Sequence, residues 1–249
     1  MRVSPLGAMV VASSLVLMSA AAAQTPSPAK PASKPAAKPP AAAPKPAPAP
    51  APSPASPSGK ALDIKGFRSA TFGMTPAQVK AAVTSDFGPT AQIQEAADPS
   101  QGTQIMVVKV DHLDPGPGPA QIGYVFGATS KTLNVINVVW ATGPEPTEQE
   151  RSAIAQAGQQ LAAYFQTGPA PARTMQGMRA FGANGLILYT AADAKNSGIM
   201  VTIDGIEYHG TTGDKTVASP APKGPATLRV GYELDASKPD VKVIKPGAF

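Results

Sequence analysis

The chain has 249 residues, 21 Lys and Arg against 16 Asp and Glu, a formal net charge of +5, and no cysteine. Without cysteine there is no disulfide staple and no thiol nucleophile, so a hydrophobic core must carry stability unaided. The charge is unevenly placed. Arg2, Lys30, Lys34, Lys38, Lys45 and Lys60 meet no acid in residues 1–60, which leaves 15 basic against 16 acidic residues in 61–249 and excludes a basic nucleic-acid footprint on the folded part.

Residues 1–23 read as a signal peptide. Met1-Arg2 is a short positive region, Val3 to Met18 is mostly apolar, and Ala21-Ala22-Ala23 before Gln24 suits signal-peptidase cleavage. Export to the periplasm or secretion follows, with cleavage near Ala23. No cysteine follows the apolar run, so a lipobox anchor is excluded. Retention of the leader as a membrane anchor is the competing reading.

Residues 24–60 form an Ala/Pro/Lys-rich linker, with Lys38-Pro39-Pro40 and Ala47-Pro48-Ala49-Pro50 as typical stretches. Such a composition buries too little apolar surface to offset ordering entropy, so a disordered tether of polyproline II character is expected. At ~3.1 Å per residue it reaches on the order of 100 Å. Its lysines offer peripheral, salt-sensitive contact with anionic lipid head groups or wall polymers.

Residues 61–249 read as one α+β domain, about 190 residues long and able to bury a core. Thr75, Pro76 and Gln78 predict a helix start with a capping box. Val79, Ala82, Val83 and Phe87 share one helical face, and Gly88-Pro89 stops the helix. Strands are predicted over Thr103–Val110, Gln121–Gly127 and Thr132–Trp140. The syntax then repeats. Thr147 and Glu150 form a second box, Ile154, Gly158, Leu161 and Phe165 line one face, and Gly168-Pro169 closes the helix. Gly158 on that stripe predicts close approach to a packed surface. Strands are predicted over Gly185–Thr190, Gly198–Tyr208 and Ala226–Asp235. In the last, Leu228, Val230, Tyr232 and Leu234 alternate with Arg229, Gly231, Glu233 and Asp235, so one face is buried and one wet. The predicted architecture is two α-β-β-β units, over 67–141 and 144–236, sharing an antiparallel sheet with helices packed on one face.

The segment Phe72-Gly73-Met74-Thr75-Pro76-Ala77-Gln78-Val79, closing at Gly88-Pro89, resembles the opening of the SmpA/BamE-like outer-membrane-assembly family, which is similar to the tandem-repeat β-lactamase-inhibitor-like fold. The resemblance implies a non-enzymatic, protein-binding module in the cell envelope. It carries no functional residue across. This chain differs from the family in lacking a lipobox cysteine and in having about twice its folded length.

Candidate chemistry is sparse. His112 and Asp114 end one strand, and Glu207 and His209 end another. The four supply a nitrogen/oxygen metal set only where the two loops meet, and nothing in their spacing requires that. Gly210-Thr211-Thr212-Gly213-Asp214-Lys215-Thr216 has the wrong spacing for a phosphate loop. Glu148 and Glu150 sit in a first helical turn, where they favour the helix dipole. Trp140, Tyr124, Tyr189, Tyr208 and Tyr232 are spread over strands, as core or strand-pair residues or as a binding surface on an open sheet face.

The sequence therefore predicts an exported envelope protein that binds a protein or a cell-wall or outer-membrane component, with no cofactor, no metal and no catalytic residue. One alternative is a secreted hydrolase, favoured by a deep cleft lined by several of Asp111, Asp114, Glu207 and His209. The other is an anchored transducer, similar to the TonB kind in its hydrophobic leader, Pro/Lys spacer and carboxy-terminal α+β domain.

Overall fold

The structure, a computed structural model, describes residues 60–175, 177–212 and 215–242. The expected signal peptide and all of the expected linker except Lys60 lie outside these residues.

Two short strands, β1 (Gly66–Phe67) and β2 (Ala70–Thr71), pair as a hairpin ahead of the first helix, α1 (Pro76–Phe87). Thr75 Oγ1 accepts the Gln78 N–H, and Gln78 Oε1 accepts the Thr75 N–H at 2.9 Å. This reciprocal box satisfies two of the helix's orphan donors. Gly88, at φ +87°, ends the helix and donates its N–H to Thr84. The second helix, α2 (Glu148–Gln166), starts in the same way. Glu150 accepts the Thr147 N–H at 2.7 Å, and these contacts with the backbone and hydroxyl of Thr147 hold its carboxyl below the usual range. Among the described residues no helix is long and apolar enough to cross a membrane.

Four strands follow α1: β3 (Ile93–Asp98), β4 (Thr103–Val110), β5 (Ala120–Phe126) and β6 (Leu133–Ala141). Three were expected. The additional one, β3, reads Ile-Gln-Glu-Ala-Ala-Asp and is largely solvated, so it carries little periodic signal. After α2 come β7 (Arg173–Thr174), β8 (Arg179–Phe181), β9 (Gly185–Ala192), β10 (Gly198–Asp204), the β11–β12 hairpin (His209–Thr212, Lys215–Ala218) and β13 (Thr227–Glu233). The expected strand over 198–208 stops at Asp204 because Gly205 turns the chain at φ +72°. The stretch with the wrong spacing for a phosphate loop falls in the β11–β12 hairpin.

One antiparallel sheet runs β3-β4-β5-β6-β13-β10-β9-β7, with β8 also paired to β9. The molecule is thus α+β: two helices against a mostly antiparallel sheet. Its middle is the β6–β13 ladder, where the four strands after α1 meet those after α2. Register aligns Val108, Ile122, Val138, Val230, Val201 and Tyr189 in one row across six strands. All six are buried, and each buried aliphatic side chain contributes about 1.5–3 kcal/mol.

Both helices cover this face. Gly158 of α2 is so close to the sheet that a Cβ there would lie 2.7 Å from Ile203 Cγ2 and 2.9 Å from Leu188 Cδ1. On the α1 side, Val79 and Val83 are fully buried over β4, and the charge of Asp86 acts on the buried Tyr124 phenol.

Three residues of the expected strand over 226–235 depart from its alternation, and one of them, Gly231, is buried where water was expected. Leu234 lies beyond the strand and is exposed. Glu233, expected in water, is only 8% exposed, and its Oε2 has no hydrogen-bond partner. Its neighbours on that face are Gly198 and Val135 across the two ladders and Gly231 along the strand, and none has a polar side chain to pair with it.

Candidate functional site

Strand alternation sends Val138 and Trp140 of β6 and Val230 and Tyr232 of β13 to the helix-covered face. These four line the floor of a cleft at the middle of the sheet. The helices stand on either side of it, α1 over β4 and α2 over β9, β10 and β13. The β1–β2 hairpin packs on β13 and fills part of the gap. What remains is a cavity of about 220 Å³, walled by Phe67 and Arg68 of the hairpin, Leu161 of α2, and Leu113 and Asp114 of the β4–β5 loop.

The loop wall is fixed by Trp140. Its indole Nε1 donates to the Leu113 carbonyl at 2.9 Å in a buried bond. Gly116 lies flat on the same ring, and any Cβ there would come within 2.0 Å of Nε1. The glycine in this proline-rich loop is therefore required by contact with the indole.

The hairpin wall carries the charge. Arg68 sits in the turn at φ +53°, a conformation that costs a non-glycine residue about 1–2 kcal/mol. Asp86 holds the turn in place. Its carboxylate accepts the Ser69 N–H at 3.0 Å and the Ser69 hydroxyl at 2.6 Å, and its carbonyl accepts from Arg68 Nη1 at 3.4 Å. The Arg68 guanidinium then lies 4.8 Å from the centre of the Phe87 ring and 5.7 Å from that of Phe67, an arrangement favourable to a cation. Because Ser69 occupies the Asp86 carboxylate, the guanidinium has no carboxylate within 4 Å among the described residues.

Aromatic groups line the interior. The Phe67 and Tyr232 rings are 5.8 Å apart. Burial, and secondarily the nearby Tyr164, pushes the Tyr232 phenol well above its ordinary value, so it stays a neutral donor and acceptor. Tyr164, one turn beyond Leu161, is 69% exposed beside this opening. The arrangement offers an apolar floor, a neutral hydroxyl, a fixed cation and, in Asp114, an exposed acceptor.

The residues singled out from sequence fall elsewhere, apart from three. His112 Nε2 meets Asp114 Oδ1 at 3.0 Å, and His209 meets Glu207 at 3.5 Å, both on the surface. The two pairs do not join: among the described residues no three His, Asp or Glu side chains converge as a metal site. Of Asp111, Asp114, Glu207 and His209, only Asp114 lines the cleft, so the set needed for a dispersed hydrolase is not brought together. Tyr124, Tyr189 and Trp140 are buried on the helix-covered face, and Tyr189 stacks on Phe165 at 5.7 Å. Four of the five aromatics thus form core, and two of them, Trp140 and Tyr232, also form the cleft floor, whereas Tyr208 is half-buried in the connection between β10 and β11, outside any strand. Phe67, Arg68, Leu113 and Leu161 went unmarked as site residues, because no motif links them.

No family model, curated protein or solved structure matches the chain.

Proposed function

We propose that this is an exported cell-envelope protein that works by binding and not by catalysis. By this reading the leader over 1–23 directs export and is removed near Ala23. The linker over 24–60 sets the reach of the body, and the body engages an envelope protein or a cell-wall or outer-membrane polymer. The body is read as two related α-β-β-β units, each enlarged by edge strands, that face one another across β6 and β13. The resemblance of residues 72–89 to the SmpA/BamE-like family agrees with such a role.

The observation that carries the proposal is a cleft with an apolar floor and, at its wall, Arg68 with no carboxylate within 4 Å among the described residues. An apolar floor beside a cation with no carboxylate within 4 Å stabilises the fold poorly, yet it is what a recognition site needs. The turn that presents Arg68 also adopts a costly backbone conformation, which packing around Asp86 and Phe87 sustains.

Photo-crosslinking in intact cells tests this. A benzoylphenylalanine at Tyr164, beside the cleft, should give a discrete adduct, and one at Lys109, on the opposite face of β4, should not. Adducts from neither position, or turnover of any substrate by the purified protein, would overturn the reading. Intact mass of the exported protein should place its start at Gln24. Retained Met1 would shift the reading towards an anchored transducer.

A further inference from the structure

We infer that the cleft over β6 and β13 binds an N-acylated apolar amino acid with a free carboxylate, either as a small molecule or as the carboxyl end of a polypeptide. The inference rests on the binding role proposed above and adds the chemistry of what is bound.

Three observations fix that chemistry. The cavity, about 220 Å³, is of the size of one large side chain and its backbone, and is well below the ~300–1,000 Å³ usual for drug-sized ligands. Its floor of Val138, Val230 and the Tyr232 ring is apolar and takes an aliphatic or aromatic group. The one cation among the described residues at its wall is Arg68, which has no carboxylate within 4 Å; its planar fork matches a carboxylate and lies against Phe67 and Phe87.

Asp114 distinguishes this ligand from a fatty acid. Its side chain is exposed at the cleft wall and accepts hydrogen bonds. A fatty acid would satisfy Arg68 and offer nothing to Asp114. An acylated amino acid supplies both the carboxylate for Arg68 and an amide N–H for Asp114 on one short unit. Arg68 and Asp114 come from different elements, and each of those elements is pinned independently, by Asp86 and by Trp140. The site is therefore organised before a ligand arrives, and less of the binding energy goes into ordering it.

The chain contains a single tryptophan, Trp140, and it lies in the cleft floor. Its emission is a direct reporter. The exported full-length protein is titrated with N-acetyl-L-phenylalanine, with the amide of the same compound, and with a hexapeptide ending in phenylalanine as acid and as amide. The acids should give a saturable change in emission, and the amides should bind about tenfold more weakly or worse, because one charge-assisted bond is lost. Arg68→Gln should abolish the preference for acid over amide. Leu161→Phe, which fills the cleft from the α2 side, should weaken every probe and leave that preference intact. Tighter binding of the peptide acid than of the small acid identifies a polypeptide as the source, and equal binding identifies the free acid.

Equal affinity for acid and amide in the unaltered protein would overturn the role of Arg68. No saturable emission change with any probe up to about 10 mM, roughly the weak limit of specific binding, would overturn the site. A crosslinked adduct at Tyr164 together with such a silent titration would leave the general binding role standing and remove this inference alone.

Discussion

Asp193 Oδ2 accepts the backbone N–H of Ile64 at 3.0 Å, across 129 residues of chain. Its other oxygen accepts the N–H groups of Lys195, at 2.8 Å, and Ser197, at 3.0 Å. One buried carboxylate thus closes the β9–β10 turn and ties the start of the folded body to it. Asp193→Ala leaves three backbone donors without this acceptor, and should lower stability by about 3 kcal/mol in urea unfolding. Asp193→Asn keeps one good acceptor and should lose less than half as much. Equal losses for the two variants would show that the bonds to the two oxygens do not act separately.

Gly158 tests the fit of α2 on the sheet. Alanine is the better helix former by about 1 kcal/mol. The added methyl, however, would press on Ile203 and Leu188, both buried, at distances below 3.0 Å. Overpacking of a core costs about 1–3 kcal/mol. Gly158→Ala should therefore destabilise by about 1 kcal/mol net. A stabilised variant would show that the two side chains yield freely.

Glu233 and Asp240 should drive stability in opposite directions with pH. Burial, and then Asp235, pushes the Glu233 carboxyl up. A carboxyl raised in the folded state favours folding most at low pH, and that advantage is lost as pH rises through the folded value. Glu233→Gln should therefore raise the melting temperature near pH 7 and make little difference near pH 4. A variant equally stabilised at both values would remove the charge from the explanation.

Partial burial alone would raise the Asp240 carboxyl, but hydrogen bonds from the backbone and hydroxyl groups of Ser130 and Thr129 outweigh it and hold it at about 2. Its contribution is present above the unfolded value near 3.8 and is lost as pH falls towards 2. Asp240→Asn should cost no more than about 1 kcal/mol at neutral pH, since the site is largely solvated. The difference from the unaltered protein should shrink in acid. A gap that stays constant from pH 6 to pH 2 would contradict the assignment.

Elements whose determinants are local could be read from the chain. Thr75 with Gln78 and Thr147 with Glu150 carry their helix starts within four residues, and both boxes close as their spacing implies. The alternation of Leu228, Val230 and Tyr232 likewise marks β13. β3 was not legible, because an edge strand with both faces wet has no need of alternation. The cleft was least legible. Its walls come from residues near 67, 113, 139, 161 and 231, brought together by strand order and not by any motif. Arg68 carries no sequence sign that Ser69, and not the arginine, would claim the Asp86 carboxylate.

The position of β13 has a consequence for how the chain assembles. This strand comes last in chain order among the described elements, yet it lies between β6 and β10 in the middle of the sheet. Until Thr227–Glu233 is in place, both inner strands wait with open edges. Long-range pairings of this kind slow assembly and leave an intermediate exposed to aggregation. The two halves can therefore lock only once nearly the whole chain is available, and the chain short of β13 is the form that would most need a chaperone's protection.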